Sequence, residues 1–186
     1  MKFKDTKYGD LTGQTYNGNL DISGLNLTSL EGAPKIINGN FDCQNNQLTS
    51  LEGSPEIVNG SFYCYNNQLT SLEGSPAEVK RHFDCSSNKL TTLKGCPKVV
   101  KGYFDCSNNK IISLEENDLE EVIGNFYCFN NRLASLKGIP MNIKGEVHCH
   151  NNLNENLDKE YQVRKDNPEI SEEEIKAEIS LLTKKQ

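Results

Sequence analysis

Six cysteines stand at positions 43, 64, 85, 106, 128 and 149 of a 186-residue chain, with a seventh at 96. Thiols at close quarters can bind zinc or form disulfides, and His148-Cys149-His150 sets two imidazoles beside the last of the six. The spacing points elsewhere. Successive members of the row are 21, 21, 21, 22 and 21 residues apart, the period of stacked coils each too thin to fold alone. Cysteines in register point in parallel, whereas a disulfide and a tetrahedral metal site both need converging side chains. Ile22 fills the equivalent place in the first unit, so the column asks for a small-to-medium apolar group and not for a thiol. His148 and His150 face outward with only Glu146 and Tyr127 as further candidates, and no metal is assigned to them. Cys96 lies outside the row, in a turn where Ala33, Ser54, Ser75 and Ile139 stand elsewhere, and is the expected exposed thiol. No Ser/His/Asp set, phosphate loop or carboxylate pair departs from the repeat. A non-enzymatic chain without a cofactor is expected.

The elements that carry these residues repeat with them. Phe41 and Cys43 alternate with Asn40, Asp42 and Gln44, the period-2 pattern of a strand with one buried face. Phe62/Cys64, Phe83/Cys85, Phe104/Cys106, Phe126/Cys128, Val147/Cys149 and, in the first unit, Leu20/Ile22 occupy the same places. An asparagine follows at 46, 67, 88, 109, 131 and 152, suited to bonding turn backbone of its own and adjacent coils. A Leu-x-x-Leu step turns inward, and Gly-x-Pro then bends the chain, glycine supplying positive φ and proline needing no donor. Ile or Val anchors the return segment. Glycine precedes the strand at 18, 39, 60, 102, 124 and 145 and marks a bend or bulge, except that Arg81 interrupts the column. The fifth unit loses Gly-x-Pro to Leu114-Glu-Glu-Asn-Asp-Leu-Glu-Glu-Val122, where residues 118–121 are expected to form a helical turn carrying a solvated acidic patch.

The strings FDCQNNQL and FYCYNNQL resemble the conserved segment of leucine-rich repeats, and LTSLEGSP resembles the return of the short bacterial class found in secreted effectors of enteric pathogens. Similar Phe-x-Cys-x-x-Asn arrays occur in bacterial and bacteriophage proteins. The resemblance covers residues 18–157, seven units. It departs in the place of the residue before the strand, and in the proline that follows Gly-x. Nothing resembles the catalytic ligase domain of some such effectors. The resemblance implies a repeat solenoid of seven stacked, right-handed coils with a parallel β-sheet on the concave face. By analogy of fold it implies a protein partner, and its bacterial or phage look extends this to a host or defence protein that the chain binds and modulates.

With Phe and Cys inward, their neighbours face out and align in columns about 4.8 Å apart. Tyr63, Asp84, Asp105, Tyr127 and His148 share one column, and Tyr65, Phe129 and His150 share the next. His82 and Tyr103 fall in a third. Exposed aromatics concentrate at interaction hot spots, so Tyr63, Tyr65, Asp84, Tyr103, Asp105, Tyr127, Phe129, His148 and His150 are the expected partner-binding residues. The aspartates suggest a partner of some basic character.

Net charge −6 and pI 5.2 argue against a nucleic-acid surface. No apolar run approaches the ~20 residues of a membrane span. MKFKDTKYGDLTG has charge without a following apolar stretch and does not read as a secretory signal. Together with an odd cysteine count this predicts a reduced, cytoplasmic protein, in the host-cell cytoplasm if phage-encoded. Residues 1–17 read as an N-terminal β cap, a short strand or hairpin. Residues 18–157 read as the solenoid and 158–186 as a C-terminal α-helical cap. One helix is expected near 155–166. A second starts at a Ser171/Glu174 capping box with an Ile170/Ile175 staple, carries an Ile175/Ile179/Leu182 stripe, and ends at Lys184-Lys185. This last helix either seals the final coil or meets a partner. The alternative role for the chain is a structural or assembly component that self-associates through its end coils or C-terminal helix.

Overall fold

The computed structural model describes residues 1–183. Thirteen two-residue strands follow in chain order: β1 (Thr15–Tyr16), β2 (Leu20–Asp21), β3 (Ile36–Ile37), β4 (Phe41–Asp42), β5 (Ile57–Val58), β6 (Phe62–Tyr63), β7 (Glu78–Val79), β8 (Phe83–Asp84), β9 (Val99–Val100), β10 (Phe104–Asp105), β11 (Glu121–Val122), β12 (Phe126–Tyr127) and β13 (Val147–His148). They form a parallel β-solenoid with a sheet on each side. The front sheet has seven strands, ordered β13-β12-β10-β8-β6-β4-β2, and the back sheet six, ordered β1-β3-β5-β7-β9-β11. Six turns close fully. In the seventh unit the return segment keeps only an isolated bridge, Val122 to Ile143.

The back sheet is the element the sequence pattern did not disclose. Its strands are the short return segments, read above only as an Ile or Val anchor. Two residues per strand are too few to show alternation. Hydrogen-bonded strands on both sides impose the same pitch, about 4.8 Å per coil, which leaves little difference in spacing to bend the stack.

Between the sheets, Phe41, Phe62, Phe83, Phe104 and Phe126 stack with ring centroids 5.3 to 5.5 Å apart. Beside them run the six cysteines, all reduced and buried. Burial pushes their thiols well up, which removes the thiolate that metal binding or attack on a disulfide requires. The inward leucines complete the core with no exposure.

The asparagine column does more than close a corner. Asn67 donates its Nδ2 to the carbonyls of Cys64 in its own coil and Cys43 in the coil before, at 3.1 and 3.0 Å. Its Oδ1 accepts from Leu48 N–H at 3.0 Å. The same pattern recurs at Asn46, Asn88, Asn109, Asn131 and Asn152. Before each buried asparagine stands a residue at positive φ: Asn45, Asn66, Asn108, Asn130 and Asn151 at 51–56°, with Ser87 at 53°. Asparagine tolerates that conformation better than most side chains. The doubled Asn was the signal for it.

Cys96 is a correction. It is 4% exposed, and burial raises its thiol to about 12. The place between glycine and proline faces the next coil, as the burial of Ala33 and Ile139 shows. The helical turn expected at 118–121 is also absent. Asn117 bonds Leu114 and Gly138 carbonyls, Asp118 accepts from Gly95 N–H at 2.9 Å, and Leu119 is buried in a chain segment that runs straight into β11. Three of the five acids there pair with lysines: Glu115–Lys137, Glu120–Lys98 and Glu121–Lys101.

The N-terminal segment contributes a 3-10 turn, Phe3–Asp5, whose Phe3 is fully buried, and β1 at the edge of the back sheet in place of a hairpin. At the other end lie α1 (Leu157–Asp166) and α2 (Glu172–Thr183). The Ser171/Glu174 capping box is formed, each residue's backbone N–H donating to the other's side chain. Glu160 of α1, 3% exposed, accepts from Leu136 N–H at 2.7 Å. Leu72 two coils earlier... gives its N–H to a carbonyl of the following coil instead, at Lys94. Glu160 therefore replaces a coil that does not follow. Arg164 neutralises it at 2.8 Å and ties it to Glu172 of α2. Of the expected apolar stripe, Ile175 is buried, Ile179 half-buried and Leu182 exposed; Lys184 and Lys185 lie outside the described residues.

Two neighbouring substitutions test this backbone logic with opposite signs in denaturant unfolding. Asn88→Ala strands Leu69 N–H and the Cys64 and Cys85 carbonyls, and is expected to cost about 3 kcal/mol. Ser87→Asn places a better residue at positive φ and is expected to gain about 1 kcal/mol. Equal effects would contradict the assignment.

Candidate functional site

The front sheet fixes the outward columns by strand register. Pairing aligns Asp21, Asp42, Tyr63, Asp84, Asp105, Tyr127 and His148 in one row. Tyr65, Phe129 and His150 lie two residues on from Tyr63, Tyr127 and His148, on the same face. The residues named from sequence therefore share one surface, and on it they fall into two groups.

The first group is a run of stacked rings. His82 stacks on Tyr103 at 4.1 Å, Tyr103 meets Tyr127 edge-on at 6.0 Å, and Tyr127 stacks on His148 at 4.9 Å. Alongside, Phe129 stacks on His150 at 4.8 Å and touches Tyr127 edge-on at 6.4 Å. Several members are held from behind. Asn125 donates to the Tyr127 hydroxyl at 2.9 Å. His82 Nδ1 accepts from Tyr103 N–H at 3.1 Å, which leaves the proton of the neutral ring on Nε2. Burial, then the charge of Arg81, holds this imidazole below its ordinary range. His82 belongs to the site although its column had not singled it out. The signal was its place one period before Tyr103.

His82 also belongs to a polar ladder along the third column. Asn19, Asn40, Ser61, His82 and Asn125 each offer a side-chain acceptor to the backbone N–H of the equivalent residue one coil on. Behind this ladder the glycine column packs tightly. A Cβ on Gly60, Gly102 or Gly145 would come within 2.8 Å of the preceding coil, so these glycines mark close approach of backbones and not a bulge. Arg81, which interrupts the column, is exposed.

The second group surrounds two half-buried carboxylates. Asp84 Oδ1 accepts from Ser86 N–H at 3.0 Å and from its hydroxyl at 2.7 Å, and Asp105 Oδ1 from Ser107 N–H at 2.8 Å. Burial raises Asp84 to about 6, and the charges of Asp105 and Asp42 push the same way against the Ser86 hydrogen bonds. Burial raises Asp105 and Asp42 as well. Tyr103 feels Asp84, Tyr63, Asp105 and Tyr65, and burial followed by these neighbours drives its hydroxyl far up. The phenols of Tyr63, Tyr65 and Tyr103 thus gather over the two aspartates.

His148 Nε2 lies 3.3 Å from Glu146 Oε2. Among the described residues no three His, Cys, Asp or Glu side chains converge on one point, and no helix is long and apolar enough to cross a membrane. The chain matches no protein-family model, no curated protein and no solved structure.

A raised Asp84 sets a pH dependence. The native chain holds the Asp84 proton more tightly than the unfolded chain, so its contribution is complete below about pH 4 and is lost as pH rises through about 6. Asp84→Asn keeps the acceptor for Ser86 and removes the charge. At pH 7.5 it is expected to be more stable than the parent by about 2 kcal/mol, and at pH 4.5 by little. Denaturant midpoints at the two pH values check this; an advantage that does not shrink on acidification would count against it.

Proposed function

We propose that this chain is a binding module of the leucine-rich-repeat kind that holds a protein partner on its front sheet without catalysing a reaction. The observation that carries the reading is the continuous ring array from His82 through Tyr103 and Tyr127 to His148, flanked by Phe129 and His150. Rings already stacked on one another lose little freedom on binding and bring large amphipathic area, the qualities of protein-binding anchors. The reading keeps its extension to a host or defence protein as the target. Changing Tyr63, Tyr65, Tyr127 and Phe129 together to Ser is expected to abolish partner capture while leaving the unfolding midpoint nearly unchanged. Retention of every partner by that variant sinks the reading.

One observation favours the assembly role as a second reading. Leu181 and Leu182 of α2 are 59% and 44% exposed, on a helix whose Ile175 is already buried against the chain. Self-association through this helix predicts a dimer mass in light scattering that falls to monomer when both leucines become Ser. A monomer at all concentrations removes it.

A further inference from the structure

The charges of this surface are unevenly partnered. On the back and rims, acids meet lysines across successive coils: Lys35–Glu56, Lys94–Glu73, Lys98–Glu120 and Lys101–Glu121. On the front sheet, among the described residues, no Lys or Arg pairs with Asp84 or Asp105, and neither Oδ2 receives a hydrogen bond. The two residues are register partners on β8 and β10, so their carboxylates lie side by side, about one strand spacing apart. Each spends one oxygen on the serine two residues on and keeps the other for the outside. Tyr63, Tyr65 and Tyr103 stand around them.

We infer that this cluster is the seat for a cationic side chain, an arginine of the partner, whose guanidinium bridges Asp84 and Asp105 between the rings of Tyr63, Tyr65 and Tyr103. The inference rests on the protein-binding reading above and deepens it. The carboxylates repel one another and are partly stripped of water, and nothing in the free chain compensates them. A cation from outside relieves both penalties, which is charge complementarity specific to this patch. The aromatic walls select the type of cation. A flat, weakly hydrated guanidinium stacks on phenol rings while its fork meets carboxylate oxygens, whereas a hydrated metal ion gains nothing from rings. The seat adjoins the ring array through Tyr103, so one extended partner segment spans both.

The test uses the full chain labelled with ¹⁵N and two probes, acetyl-Gly-Gly-Arg-Gly-Gly-amide and the same peptide with citrulline, the uncharged isostere of arginine. The arginine peptide is expected to shift the amides of Tyr103, Ser86 and Ser107, the citrulline peptide to bind at least about tenfold more weakly, and the Asp84→Asn/Asp105→Asn chain to lose the difference. Equal binding of the two peptides, or none by the arginine peptide, overturns the seat. The same double variant separates this inference from the broader reading. If it retains a partner that the Tyr127→Ser/Phe129→Ser chain releases, the seat is wrong and the face stands. If neither variant releases the partner, both fail.

Discussion

The fold hangs on one side chain repeated six times. Each buried asparagine ties the carbonyl of its own cysteine to that of the preceding coil, and accepts the N–H that opens the preceding coil's leucine step. A strand of two residues cannot hold a register by itself, because so short a ladder gives too few hydrogen bonds to offset the ordering of the chain. The asparagine supplies the missing connections in the core, where water cannot compete. Phenylalanine stacking and the cysteine column then fill space that the asparagines have already indexed.

That constraint explains why the sequence was informative about one side and silent about the other. The Phe-x-Cys alternation and the Asn that follows it are side-chain signals, so the front sheet, its outward columns and the buried ladder were all legible. The back sheet was not, since Ile36–Ile37 or Glu78–Val79 shows no period of its own. Its existence comes from backbone bonds between successive coils. Cys96 was misjudged because a turn was taken to be solvent-facing, while in a stack every turn has a neighbour above it. The acidic stretch after Leu114 likewise looked like a local helix. It is held extended by the tertiary contacts of Asn117, Asp118 and Leu119.

The ends illustrate the same economy. A solenoid exposes core and unpaired backbone wherever it stops, and each terminus here meets that need with a stand-in for a coil. Phe3 fills the first core position while β1 extends the back sheet. At the far end Glu160 reaches into the stack to take Leu136 N–H, with Arg164 to balance its charge. The front sheet is treated differently: its rings are ordered and its carboxylates left without cations, at a cost in stability that the fold itself does not require. Sites that lower stability in this way are where function concentrates.

The dependence on asparagine can be read directly by amide hydrogen exchange. The N–H groups of Leu48, Leu69, Leu90 and Ile111 are bonded to no backbone carbonyl but to the Oδ1 of the next coil's asparagine, each at 3.0 Å. Exchange as slow as that of the strand amides of Phe62, Phe83 and Phe104 is the predicted result. Exchange at the rate of the exposed turn residues Thr49 and Thr70 would show that the ladder does not hold the coils together.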